Sequence, residues 1–86
     1  MKIAYTPAFI RQFNVLPLEL QEEVLEKTEL FIDRKNHKAL KVHKLHGRLA
    51  SRYGFSIDYK NRIVFTYLEK DEVVFLAVGD HDIYNK

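Results

Sequence analysis

A chain of 86 residues with 47% hydrophobic residues, 13% aromatics and a net charge of +2 has room for one domain with one modest core. Having no cysteine, it can build neither a disulfide framework nor a thiolate zinc site. Its longest apolar run, Val73 to Val78, falls far short of the ~20 residues of a membrane span. The opening MKIAYTP also lacks the apolar core of a signal peptide. The expectation is a single soluble, cytoplasmic domain over residues 1–86.

Lys2 to Tyr5 reads as a short strand. Thr6-Pro7 signals a helix start, with Thr6 as N-cap and Pro7 at the first helical position. Ala8 to Phe13 continue that helix and present Phe9, Ile10 and Phe13. Pro17 opens a longer amphipathic helix expected to reach about Lys35. At 100° per residue, Leu20, Val24, Leu25, Thr28, Phe31 and Ile32 share one arc and the acids take the other side. Leu30 falls on the acidic side. This helix is expected to lie over the core face of a sheet and to carry no chemistry. Lys35-Asn36-His37-Lys38 would end it with favourable positive charge, and Ala39 to Ser51 reads as a linker.

Three strands follow. Arg52 to Tyr59 alternates, with Tyr53, Phe55, Ile57 and Tyr59 on one face and Arg52, Gly54, Ser56 and Asp58 on the other. Asn61 to Leu68 is a second strand, with Ile63, Phe65 and Tyr67 toward the core and Arg62 on the open face. After a turn at Glu69 to Glu72, Val73 to Val78 form a buried strand that Gly79 ends. The predicted order is β-α-α-β-β-β. That is an α+β fold: a small, mostly antiparallel sheet with two N-terminal helices packed on one face. A functional site is expected on the open face.

Charge is segregated along the chain. Pro17 to Asp33 carries six acids against Lys27, a net of −5, whereas Arg34 to Arg62 carries nine bases against Asp58, a net of +8. Such polarity suits a surface for a polyanion. A solvated helix face and a solvated loop would look the same in sequence.

His43, Arg62, His81 and Tyr84 stand out within or beyond the basic half. RNA can be cut without metal when its own 2′-hydroxyl attacks the adjacent phosphate. That reaction needs a base, a cation at the phosphate and an acid for the leaving 5′-oxygen. Histidine can be base or acid near neutrality, arginine can clasp a phosphate bidentately, and tyrosine can stack on an unpaired base. His43-x-x-His46 with His81 or Asp82 is the competing metal-site reading, in a loop and without a helical HExxH motif. His37 and His46 read as surface or structural histidines.

The pattern Lys44-Leu45-His46-Gly47, the alternating strand from Tyr53, Arg62-Ile63-Val64-Phe65 and the ending Val78-Gly79-Asp80-His81-Asp82-Ile83-Tyr84 resembles the RelE/ParE superfamily of bacterial toxins. Its RelE- and YafQ-like branch is the closer match. The resemblance covers nearly the whole chain and implies the toxin of a type II toxin–antitoxin pair. It further implies a metal-independent endoribonuclease (an mRNA interferase) that cuts mRNA in the ribosomal A site, uses no cofactor and has a cognate antitoxin as partner. The ParE branch poisons DNA gyrase instead, and a homologue that only binds its antitoxin is the other alternative. Carried over by position, the resemblance makes Arg62 the phosphate-binding arginine. His81 and Tyr84 become the C-terminal catalytic pair, and His43 a catalytic histidine. Lys41, Lys44, Arg48 and Arg52 read as RNA-binding contacts, with Ser56 a minor hydrogen-bonding one. The departure is on the first meander strand, where RelE has two catalytic lysines and this chain has Gly54 and Ser56.

Overall fold

The computed structural model describes residues 1–47 and 51–80. Strand β1, Lys2–Tyr5, leads into helix α1, Pro7–Asn14. Thr6 caps α1 as expected: its Oγ1 accepts from Phe9 N at 3.1 Å, satisfying one of the helix's orphan donors. The same residue anchors the helix to the sheet, because Thr6 N donates to Phe75 O at 3.1 Å. Gln21 closes the link to the next helix by donating from Nε2 to Phe13 O and Leu16 O, both at 3.1 Å.

Helix α2 spans Leu18–Ile32, three residues shorter than expected. Asp33 turns extended (φ −93°, ψ 115°), and its carboxylate accepts from Lys35 N at 3.1 Å, starting a 3-10 turn at Arg34–Asn36. Such a local side-chain bond competes with continuing the helix. The last helical turn therefore holds no basic residue. Asn36 Nδ2 donates to Leu30 O at 2.9 Å, and the His37 ring bonds Phe31 O at 2.8 Å. Side-chain amide and imidazole do the capping expected of charge.

The apolar arc of α2 is also narrower than its sequence implies. Val24 and Phe31 are buried, while Leu25 and Ile32 are 58% and 40% exposed. Each exposed residue directly follows a buried one and so sits about 100° further round the helix, past the edge of a small sheet.

The sheet has five strands in the order β1-β5-β4-β3-β2. After α2 come β2, His43–Lys44, β3, Tyr53–Ser56, β4, Arg62–Glu69, and β5, Glu72–Gly79. β1 runs parallel to β5, and every other pairing is antiparallel. The α+β architecture is as predicted, except that the segment read as a linker holds β2. Leu40 and Leu45 flank that strand and are buried. The long turn between β4 and β5 shrinks to Lys70-Asp71, and Arg34 clips it through Lys70 O and through Asp71 at 3.6 Å.

Two bulges reconcile β4 with β5. Val64 pairs with Ala77 but Phe65 with Phe75, leaving Leu76 unpaired; Tyr67 pairs with Val73 but Glu69 with Glu72, leaving Leu68 unpaired. The first bulge lets Phe75 and Val78, three residues apart, both face the core. Phe31, Phe55, Ile63, Phe65, Val73 and Phe75 form its centre, all fully buried. Tyr59 is not among them. β3 stops at Ser56 and a bend follows, so the alternation no longer holds and Tyr59 is 91% exposed.

Candidate nucleic-acid interface

Residues directly opposite in an antiparallel pair share a face, so the register reads out the open side of the sheet. One row runs His43, Gly54, Val64, Ala77; the next runs Ser56, Arg62, Gly79. Gly54, Ala77, Ser56 and Gly79, with the buried Val64 among them, lie between an imidazole on the edge strand and a guanidinium two strands away. From strand spacing and rise, the Cα atoms of His43 and Arg62 lie about 12 Å apart, within reach of one nucleotide for two long side chains.

The His43 ring is oriented by backbone. Its Nδ1 lies 2.8 Å from Lys41 O, and because a carbonyl can only accept, Nδ1 carries the proton. In the neutral form of the ring Nε2 is then the nitrogen without a proton, and the residue is exposed. Lys41 holds the carbonyl there with a left-handed backbone, φ 62°. That conformation is unusual for a side-chain-bearing residue, and it marks the turn as specified. Nothing in the sequence pattern signals that turn. Gly47 (φ 70°) ends the Lys44-Leu45-His46-Gly47 segment, where glycine suits the backbone.

Arg62 is placed by the β3–β4 turn. Its Nη1 donates to Asp58 O at 2.7 Å and Asn61 O at 3.2 Å. Asp58 builds that turn: its Oδ1 accepts from Lys60 N at 2.8 Å and Asn61 N at 2.6 Å. Partial burial pushes the Asp58 carboxyl up, but these bonds and the Arg62 charge outweigh it, so its pKa is lowered overall. A carboxyl depressed by folding contributes stability that is complete above its unfolded value of about 4 and is lost as pH falls through the lower folded value. Asp58→Ala should therefore be less stable than the parent by about 1–2 kcal/mol at pH 7. In urea melts the gap should shrink below pH 4; a gap independent of pH would mean the turn does not depend on the carboxylate.

The remaining predicted residues divide. Lys41 and Arg52 are exposed; Arg52 precedes β3 and its carbonyl accepts from Leu45 N at 2.9 Å. Ser56 is half-buried opposite Arg62. Lys44 is exposed but pairs with Tyr53, so alternation aims it to the opposite side of the strand from His43. His37 is structural, stacked on Phe31 at 4.5 Å. Arg48, His81 and Tyr84 lie outside the described residues, as does Asp82. Among the described residues, no group of three or more His, Cys, Asp or Glu stands together as a metal site. The Asp58-Asn61 turn that orients Arg62 has no role in the sequence reading, although Asp58-x-x-Asn61 is an Asx-type turn signal.

A groove of about 200 Å³ lies on the helix side, by the far sheet edge. Tyr5, Phe9, Ile10, Phe13, Val24, Leu25 and Thr28 line it. The Tyr5 phenol pKa is raised there by burial and by the Glu29 charge.

By sequence the chain matches no family profile and no curated protein. By structure it is similar to YafQ from E. coli strain BL21(DE3), with a TM-score of 0.80 at 12% identity, over 99% of this chain and 98% of that one. A chain of the toxin–antitoxin complex RelBE2 from Mycobacterium tuberculosis is similar with a TM-score of 0.75 at 20% identity, over 93% and 96%. A chain of the YoeB–YefM complex from Staphylococcus aureus gives 0.74 at 15% identity, over 94% and 97%. The chain shares one α+β fold with all three, the RelE-like fold. At such identities the likeness carries the RelE-type fold, and the chemistry has to be argued from His43, Arg62 and their surroundings. No helix among the described residues is long and apolar enough to cross a membrane.

Proposed function

We infer that this chain is the toxin of a type II toxin–antitoxin pair and an endoribonuclease that cuts mRNA in the ribosomal A site without a metal. The observation that supports it most is the His43 ring, held by the Lys41 carbonyl with Nε2 free to accept a proton, on the same sheet face as Arg62. His43 Nε2 takes the proton of the 2′-hydroxyl, whose oxygen attacks the adjacent phosphorus. Arg62 steadies the charge on the phosphoryl oxygens, and a guanidinium has donors beyond those bonded to Asp58 and Asn61. The P–O5′ bond breaks as His81 gives a proton to the leaving oxygen, leaving a 2′,3′-cyclic phosphate. Tyr84 stacks on a neighbouring base. Lys41, Arg52, Arg48 and, from the strand edge, Lys44 hold flanking phosphates, while Ser56 adds a hydrogen bond. In this reading the antitoxin covers the apolar groove between α1 and α2, where the exposed Ile10 and Leu25 gain most from burial.

Added to a cell-free translation reaction, the protein should generate new mRNA 5′ ends, and at EDTA levels that leave ribosomes intact it should still do so. The upstream products should end in a 2′,3′-cyclic phosphate or its 3′-phosphate hydrolysis product. Ends with 3′-hydroxyl and 5′-phosphate would show activated water as the nucleophile and overturn the mechanism. Gly54 and Ser56, where RelE has lysines, are the feature that favours a gyrase poison. Inhibition of gyrase supercoiling with mRNA left intact would establish that second reading.

A further inference from the structure

We propose that Tyr59 is a stacking platform for an unpaired RNA base beside the phosphate held by Arg62, an assignment that rests on the ribonuclease reading. At 91% exposure Tyr59 is the most exposed large hydrophobic side chain among the described residues. Its burial therefore contributes little to folding. Yet the backbone beneath it is tightly built. The Asp58 carboxylate accepts from the two N–H groups that follow Tyr59, at 2.8 and 2.6 Å, and Ile57 N donates to Asn61 O at 2.9 Å across the turn. Arg62 completes it by donating to the carbonyl of Asp58, the peptide group that joins Asp58 to Tyr59.

The guanidinium and the aromatic side chain thus spring from one hydrogen-bonded turn, which fixes the backbone positions from which both reach. Lys60, also exposed, adds a positive charge at the tip. An aromatic face next to cations is the combination that holds single-stranded RNA, because every base has a π-face and every nucleotide a phosphate. The backbone of the turn is ordered beforehand, so only the two side-chain torsions of Tyr59 remain to be fixed when a base settles on its ring. Stacking is tolerant of sequence, so Tyr59 adds affinity and position, not codon choice. The base can belong to the mRNA or to ribosomal RNA.

The test is binding to ribosomes programmed with an mRNA whose A-site codon is 2′-O-methylated, which blocks the attack. Tyr59→Ala should bind about 5- to 140-fold more weakly, the factor expected for one stacked base. Tyr59→Phe should bind like the parent, and both should melt with the parent. An abasic nucleotide at the stacked codon position should weaken the parent to the level of Tyr59→Ala and leave that variant unchanged. If the gap between parent and Tyr59→Ala persists with every codon position abasic, the base belongs to ribosomal RNA. Parental binding by Tyr59→Ala overturns the stacking role and leaves the ribonuclease reading standing. A folded parent that does not bind programmed ribosomes overturns that reading and the stacking role together.

Discussion

Replacing His43 with alanine should lower the single-turnover rate of mRNA cleavage by about 10²–10⁴, the usual contribution of a positioned acid or base, with the melting temperature unchanged. The side chain is exposed, and its one described bond runs to a carbonyl two residues away. Losing it costs the fold little, under about 0.5 kcal/mol. His43→Gln separates proton transfer from hydrogen bonding: it can reproduce the contact but cannot accept the proton, and should be nearly as slow as alanine. Arg62→Ala makes the instructive comparison. It removes the charge at the phosphate and also unties the β3–β4 turn, so it should lose both rate and some stability. If His43→Ala and His43→Gln fold and still cut at the parental rate, the base lies elsewhere, and the Lys41 carbonyl orients a ring of no chemical consequence.

How far the site could be read from sequence depended on the range of each signal. Thr6-Pro7 is a local rule, and it placed the start of α1 to the residue. The alternation of Tyr53 to Ile57 and the apolar run of β5 likewise found the sheet. β2 escaped because two residues carry no periodicity, and its strand character comes entirely from pairing with Gly54 and Tyr53. With β2 unread, His43 looked like a loop histidine although it stands on the sheet, and the buried Leu40 and Leu45 went without a role. Tyr59 was assigned to the core by extending an alternation past the point where Asp58 bends the chain. Arg62 was legible as a residue on the open face, but the carbonyls that orient it depend on the Asp58 turn closing. The bulge at Leu76 is set by contact across the fold, and the His43 tautomer by a left-handed turn at Lys41; neither has a one-dimensional trace.

Phe31→Ala should produce the largest loss of stability, about 3–5 kcal/mol, a large share of the 5–15 kcal/mol typical of a domain. Phe31 is fully buried and sandwiched between the rings of Phe55 at 4.7 Å and His37 at 4.5 Å, with interplanar angles of 11° and 12°. Its edges meet Phe65 at 4.9 Å and Phe75 at 5.5 Å. One side chain therefore joins α2 to β3, β4 and β5, and alanine would leave a cavity into which the three aromatic walls on the hydrogen-bonded sheet cannot collapse. At about 4–8 °C per kcal/mol for a domain of this size, the melting temperature should fall by tens of degrees. The damage should also spread. His37 would lose the ring it stacks on while still bonded to the Phe31 carbonyl, loosening the 3-10 turn that leads to Leu40 and β2. Cleavage measured at low temperature, per folded molecule, should consequently fall for Phe31→Ala and recover in part for Phe31→Leu, which refills some of the space. Urea midpoints for the two variants decide the matter. A shift under about 1 kcal/mol for alanine would mean that the aromatic cluster repacks freely and that Phe31 does not pin the helix to the sheet.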